Sequence, residues 1–318
     1  MGELFGTDGV RGEANIDLSP ELAFKLGKAG GYFLTKDQNN KKVLIGKDTR
    51  ISGDMLEAAL IAGITSLGVD VVKVGVVPTP AVAYLTRKKD VAAGIMISAS
   101  HNPVQDNGIK FFNGEGIKLT DTEESEIEDI IFKSWEELPI IKGDGVGEVI
   151  ESSGASAEYI DYLKTTVTND FKDLKVVVDA ANGAAYQAAP QVLKELGAEV
   201  IAINDQPSGK NINVDCGSTA PEGLQKVVVE EEADLGIAHD GDADRLIAVD
   251  ETGELVDGDY ILAICGRYLI EEDRLPAKTI VVTKYSNLGL HKSLAEVEGE
   301  VEVAKNGDRY VLAKMREN

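Results

Sequence analysis

The sequence predicts an α/β protein of consecutive domains, each a mixed, largely parallel sheet held between helices. Three observations carry this expectation. Helical and strand periods alternate for nearly the whole length. The 318 residues suffice for two domains or a little more, at roughly 100–200 residues each. With 43% apolar and 27% charged residues, the composition is that of a folded chain rather than a disordered one.

The elements follow in order. Ser19 is a good N-cap and Pro20 suits the first helical position, so a helix opens at Pro20. A short buried-type strand at 43–45 ends in the polar turn Lys47, Asp48, Thr49, Arg50, and a helix is expected at 52–67. Residues 71–77 read as a strand, 80–88 as a helix and 93–97 as a strand running directly into Ser98-Ala99-Ser100-His101-Asn102-Pro103. An acidic amphipathic helix at 121–132 is followed by a polar, weakly periodic stretch at 136–156, which places a domain boundary near Gly154. A second unit then alternates helix 157–167, strand 175–178, helix 184–196, strand 200–203, helix 221–231 and strand 234–237, closing on Asp240-Gly241-Asp242-Ala243-Asp244-Arg245. Past a turn at 250–253, a third unit begins with helix 259–270, strand 280–283 and helix 288–296, and ends with 301–304 and a helical 309–316. Domains are therefore expected at 1–153, 154–253 and 254–318, the last too short to complete a sheet like the first two.

Charge and cysteine content exclude several classes of function. Asp and Glu number 55 against 32 Lys plus Arg, a formal charge of −23 that repels nucleic acid and anionic membrane surfaces. An anionic substrate then requires positive contacts concentrated locally. Cys216 and Cys265 lie outside any CxxC spacing, so neither a disulfide framework nor a zinc knuckle is expected, and both thiols read as reduced and buried. The most apolar region, 58–77, is interrupted by Asp70 and Lys73, and the N-terminus lacks a basic start followed by an apolar run. Neither a membrane span nor a signal peptide is expected, nor myristoylation, because Gly6 stands where Ser or Thr is needed. The expected compartment is the cytoplasm.

Three loops collect chemistry. Ser98 to Pro103, reinforced by Asn107-Gly108-Ile109-Lys110-Phe111-Phe112, offers a hydroxyl beside an imidazole and an ammonium ten residues on. A plain cap or turn is the alternative, and adjacency of Ser100 and His101 does not by itself make a relay, since neighbours on extended chain face opposite ways. Asp240, Asp242 and Asp244 alternate in a tight turn, so their carboxylates can converge on one hard cation. An EF-hand fits poorly, because Arg245 takes the place of the sharp-turn glycine and the flanks read as strands. Arg245 beside three carboxylates suits a place where a phosphate meets Mg²⁺. The third loop, Phe5-Gly6-Thr7-Asp8-Gly9-Val10-Arg11-Gly12, combines close-approach glycines with one arginine, while no Walker or GxGxxG pattern supports a nucleotide site. Together the loops suit phosphoryl transfer, in which a divalent ion and cations spread the charge of the moving group.

These residues, Phe5 to Gly12, Ile97 to Pro103 with Asn107 to Phe112, and Asp240 to Arg245, resemble the α-D-phosphohexomutase family in order and spacing over essentially the full chain. The resemblance implies that Ser100 is held as a phosphoserine and donates its phosphoryl group to a hexosamine phosphate. A bisphosphate intermediate then reorients and returns its other phosphate. It implies one Mg²⁺ on Asp240, Asp242, Asp244 and the Ser100 phosphate, and a hexose 1,6-bisphosphate as activator. Lys110 matches the candidate general base, His101 and Arg11 belong beside the reacting phosphoryl group, and Arg245, Lys305 and Arg50 are expected to contact phosphate or substrate.

Within that family the Ile97 to Pro103 form of the loop most resembles the members that act on hexosamine phosphates, and the resemblance implies interconversion of glucosamine 6-phosphate and glucosamine 1-phosphate for cell-wall precursors. Mannose or glucose phosphates are the near alternatives, and a non-catalytic phosphosugar- or metal-binding protein or a Mg²⁺-dependent phosphatase are the competing classes. The family's Gly-Glu-x-Ser-Gly-His and Arg-x-Ser-Gly-Thr motifs do not occur in the sequence, so an incomplete third domain, an absent fourth and weak or no mutase turnover are expected.

Overall fold

The computed structural model describes residues 2–6 and 8–317 and arranges them around three sheets. The first is built from β1 (Val10–Glu13), α1 (Pro20–Thr35), β2 (Lys42–Lys47), α2 (Gly53–Thr65), β3 (Asp70–Val76), α3 (Thr79–Lys88), β4 (Ala93–Ile97), β5 (Asp106–Asn113), α4 (Asp121–Phe132) and β6 (Val149–Glu151). Its order is β1-β5-β4-β2-β3-β6, parallel from β4 through β6 and antiparallel where β5 meets β4 and β1. β4 is buried along its whole length, as a parallel strand covered on both faces must be, and so reads as an unbroken apolar run. On one face Leu26, Leu60 and Ile64 pack against Ile45, Ile95 and Phe111, and on the other Val82, Leu85 and Tyr159 pack against Met96 and Phe112. Each such fully buried aliphatic side chain contributes about 1.5–3 kcal/mol.

Local chemistry sets the helix starts. Ser19 Oγ accepts the N–H of Leu22 at 3.3 Å ahead of Pro20, and Thr120 with Glu123 forms a reciprocal capping box at α4.

α5 (Ala155–Thr165) bridges the first and second units, since its Ala155 and Tyr159 complete the first core while the helix also packs on α6 (Ala188–Glu195). The second sheet comprises β7 (Lys175–Asp179), β8 (Glu199–Ile203), β9 (Leu235–His239), β10 (Leu246–Asp250) and β11 (Leu255–Val256), with α7 (Glu222–Glu230). Its order is β11-β10-β9-β7-β8, parallel in β9-β7-β8 and antiparallel at β10 and β11. α8 (Gly258–Glu271), β12 (Thr279–Thr283), α9 (Leu288–Ala295), β13 (Glu300–Ala304) and α10 (Asp308–Glu317) form the third unit around a parallel strand pair.

Two expectations change. The stretch at 136–156 contains β6, a three-residue edge strand too short and exposed to leave a periodic signal. Cys265 is exposed rather than buried, because α8 turns Gly266 and Ile270 inward and leaves Cys265 on the face carrying Tyr260, Ile264 and Tyr268.

Candidate active site

The carboxyl ends of parallel strands, where ligands gather in open α/β sheets, bring the three loops together. Ser100 follows β4 in a left-handed conformation, φ 54°, which costs a non-glycine residue about 1–3 kcal/mol unless its surroundings fix it. They do. The Ser100 N–H donates to Ser98 Oγ at 2.9 Å, and Ser98 Oγ donates to Asp48 Oδ2 at 2.6 Å. The Ser100 carbonyl accepts from Arg50 Nη2 at 2.9 Å and from Asn213 Nδ2 of the second unit at 2.8 Å. Ser100 Oγ then points across the seam and donates to Asp240 Oδ2 at 2.5 Å, with His101 Nδ1 3.4 Å away. Burial, with Arg245 and Arg11 nearby, lowers His101 below its ordinary value and favours the neutral imidazole.

The Asp240 loop is the turn between β9 and β10, a hairpin with no helix on either side, so the EF-hand alternative does not apply. Gly241 is required there. A Cβ would stand 2.6 Å from the Ser100 carbonyl oxygen, so this turn meets the Ser100 loop backbone to backbone. Asp240, Asp242 and Asp244 each present an oxygen within 4.8 Å of the others. Burial and the neighbouring carboxylates push Asp240 and Asp244 up. Burial alone would raise Asp242 too, but the Lys110 ammonium holds it down. Asp242 Oδ1 is buried and has no hydrogen-bond partner among the described residues. An orphaned carboxylate oxygen inside a cluster of hard oxygen donors fits a divalent cation such as Mg²⁺.

Lys110 enters from β5, whose register sets it opposite Met96 of β4. Only 1% of its side chain is exposed, and Nζ lies 2.8 Å from Asp242 Oδ2, 3.1 Å from Asp8 Oδ2 and 3.7 Å from Asp244 Oδ2. Burial alone would lower its pKa, yet these carboxylates hold it well above the ordinary lysine value. Asp8 also accepts from Arg11 and Lys118, and together these cations keep its carboxyl well below the usual range against the opposing effect of burial. Arg11 Nη1 reaches the Ala99 carbonyl at 3.2 Å, while its Nε is buried with no hydrogen-bond partner among the described residues.

Of the other residues singled out by sequence, Arg50 sits behind the loop rather than in the cleft. Its Nε donates to Asp48 at 2.9 Å, Nη1 to the Pro103 carbonyl at 2.6 Å, and Nη2 to the carbonyls of Ser100 and Asn102, each at 2.9 Å. Arg245 is at the rim, its side chain 56% exposed. Lys305 is exposed, 5.7 Å from the Tyr310 ring centroid, just before α10. Thr7 lies outside the described residues.

Sequence reasoning gave no role to Asp8, Thr79, Lys118 or Asn213. Lys118 pairs with both Asp8 and Asp308, and Arg309 pairs with Asp121 and Glu124, which docks α10 on the first unit. Beside this contact opens a cavity of about 820 Å³, bounded by Thr79, Phe112, Lys118, Asp244, Arg309 and Tyr310.

Comparison with known proteins agrees with this architecture. Family models described as phosphoglucomutase/phosphomannomutase, alpha/beta/alpha domains I, II and III, match residues 2–137, 157–253 and 257–318. A phosphoglucosamine mutase from Desulforamulus reducens is 57% identical over 317 residues, covering 100% of this chain and 71% of the relative. One from Pelotomaculum thermopropionicum is 58% identical over 318 residues, covering 100% and 72%. Among solved structures, a phosphoglucomutase/phosphomannomutase family protein from Burkholderia thailandensis superposes with a TM-score of 0.85 at 27% identity, covering 98% of this chain and 68% of the other. With three family domains in sequence and a Ser100 loop closed onto a carboxylate cluster, the chain belongs to the phosphoglucomutase/phosphomannomutase family, the α-D-phosphohexomutases.

Proposed function

We propose that the protein is a phosphoglucosamine mutase that interconverts glucosamine 6-phosphate and glucosamine 1-phosphate through a phosphoserine at Ser100. The carrying observation is the bond from Ser100 Oγ to Asp240 at 2.5 Å, which sets the hydroxyl against the carboxylate cluster with Lys110 behind it. The high identity to relatives of that name supports the sugar assignment over mannose or glucose phosphates.

Asp240, Asp242 and Asp244 would hold Mg²⁺ together with the Ser100 phosphate. When bound, the ion supplies positive charge against the oxygens of the moving phosphoryl group. The chain's own residues do the rest. Ser100 is fixed by Ser98, Arg50 and Asn213, so the phosphoryl group starts from a defined place. A sugar hydroxyl attacks phosphorus, the bond to Ser100 Oγ breaks, and the hydroxyl proton is made good at Ser100 Oγ. Neutral His101 stands beside that oxygen. Lys110 is held here as an ammonium by the carboxylates of Asp242 and Asp8, so it must release a proton before acting as a base, and until then it serves as a fixed positive charge beside the reacting phosphoryl group. Arg11 offers its free Nε to phosphate oxygens. The bisphosphate sugar then turns and returns its other phosphoryl group to Ser100.

Among the described residues no helix is long and apolar enough to cross a membrane; on this reading the substrate is a dissolved phosphosugar handled in the cytoplasm on the way to cell-wall precursors. The test is the intact mass of the protein before and after incubation with glucosamine 1,6-bisphosphate and Mg²⁺, with the added phosphate mapped by peptide fragmentation. Phosphate on Ser100, absent in Ser100→Ala, is the expected result. Folded protein that takes up none refutes the reading. Steady release of inorganic phosphate would make it a phosphatase instead.

A further inference from the structure

Thr79 opens α3 at the seam where the first unit meets the second, between Pro78 and Pro80, whose rings stiffen the chain there. The N-cap is Pro78, which has no side-chain acceptor, so α3 has no side-chain cap and the Thr79 hydroxyl, on the first helical residue, is not engaged in capping its own helix. The Thr79 N–H donates to the backbone carbonyl of Asp242 at 2.9 Å, and its hydroxyl donates to Asp242 Oδ2 at 2.6 Å. Thr79 is 5% exposed, so neither bond competes with bulk water. Lys110 Nζ takes the same carboxylate oxygen at 2.8 Å. Oδ2 therefore has two donors, while Oδ1 is buried and has none among the described residues.

That division has a mechanical consequence. The last torsion of an aspartate is soft and roughly two-fold, so a carboxylate held by one flexible lysine can swap its oxygens or tilt. Thr79 grips both the backbone and the carboxylate of the same residue from a stiff segment, which fixes where the Asp242 loop sits and which way Oδ1 faces.

We propose that Thr79 is a positioning residue for the divalent-cation site: by holding Asp242 Oδ2 it aims Oδ1 at the ion shared with Asp240 and Asp244. This rests on the Mg²⁺-dependent reading above. The site thereby depends on docking of the two units, because a residue of the first orients a ligand of the second.

The experiment is calorimetric titration of Mg²⁺ into the wild-type chain, Thr79→Val, Thr79→Ser and Asp240→Asn, with melting temperatures recorded with and without Mg²⁺. Loss of such an outer partner weakens metal binding about 10–100-fold, so Thr79→Val should bind at least about tenfold more weakly. Thr79→Ser, which keeps the hydroxyl, should bind within about threefold of wild type, well short of that loss. Thr79→Val should also show a smaller Mg²⁺-induced rise in melting temperature than Thr79→Ser, with similar metal-free values. Wild-type affinity in Thr79→Val, or an equal loss in both threonine variants, overturns the role of the hydroxyl. A wild-type chain that binds Mg²⁺ no better than Asp240→Asn overturns the metal reading itself. Should Thr79→Val not fold, Thr79→Ala against Thr79→Ser gives the same comparison.

Discussion

Replacing Arg50 with lysine keeps the charge and removes the fork, and the structure sets the size of the effect. Arg50 and Asp48 are paired at 2.9 Å with both side chains fully buried, and the same guanidinium reaches the carbonyls of Ser100, Asn102 and Pro103. A single ammonium can serve Asp48 or the loop, not both ends. No carbonyl is orphaned, because Asn213 also serves Ser100 and Asn102, and the Asp106 N–H serves Pro103. The loss is therefore about two bonds to a charged group, roughly 3 kcal/mol at about 1.5 each. That matches or exceeds the roughly 1–3 kcal/mol needed to keep Ser100 left-handed. Arg50→Lys should then slow phosphoryl uptake by Ser100 about 10–100-fold at saturating bisphosphate and speed amide exchange across 98–103. Rapid-quench mass spectrometry reads the first quantity and exchange mass spectrometry the second. Uptake within about twofold of wild type with unchanged exchange refutes the reasoning. Weaker bisphosphate binding at an unchanged maximal rate would instead make Arg50 a phosphate contact, as its sequence setting suggested.

Three further outcomes follow from burial and pairing. Burial pushes the Tyr159 hydroxyl up to about 12, whereas an unfolded tyrosine ionises near 10, so between those values unfolding releases a proton and stability falls as pH rises. Tyr159→Phe should remove up to about 2–3 kcal/mol of that loss, visible as a smaller drop in urea midpoint between about pH 9 and 11.5. Arg309→Ala leaves Glu124 without its 2.9 Å partner and should weaken docking of α10 by about 2–3 kcal/mol, seen as faster amide exchange in α10 with β4 unchanged. Iodoacetamide should label exposed Cys265 on native protein, while Cys216, buried and pushed up to about 12 beside Asp179, should react only after unfolding.

The elements most legible in the sequence were those with one dominant signal: the apolar run of β4 and the acidic, well-capped α4. The Asp240 turn was legible as chemistry because three alternate carboxylates in one turn have few structural uses. Partnerships across sheets were not. Lys110 drew attention only through its neighbours, yet its position comes from the antiparallel pairing of β5 with β4, in a polar segment that lacks a strand's usual composition. Asp8 meets Lys110 and Lys118, and Thr79 meets Asp242, across more than a hundred residues, and these contacts leave no local trace. Arg50 illustrates the limit well: its spacing after β2 placed it at the correct sheet edge, but which side of the Ser100 loop it faces depends on Asp48 being buried beneath it.

The charge arrangement shows how a chain of formal charge −23 accommodates an anionic substrate, and it yields a test by salt. Arg11, Lys110 and Lys118 all come from the first unit, with Asp8 set among them, and Lys110 reaches Asp242 and Asp244 of the second unit across the seam. Opposite charges draw the units together, while the uncharged donors Thr79 and Asn213 fix the geometry. Buried pairs of this kind are screened little by salt. Two of the contacts holding α10 differ from these and from the largely buried Arg309–Glu124 pair, since Asp308 and Asp121 are 61% and 66% exposed and each such pair is worth only about 0–1 kcal/mol. Raising salt from about 0.05 to 1 M should therefore speed amide exchange in α10 by no more than about tenfold, and leave that of 98–103 unchanged. Salt-sensitive exchange at 98–103 with α10 unaffected would mean that exposed charges, not the buried seam, hold Ser100 against Asp240.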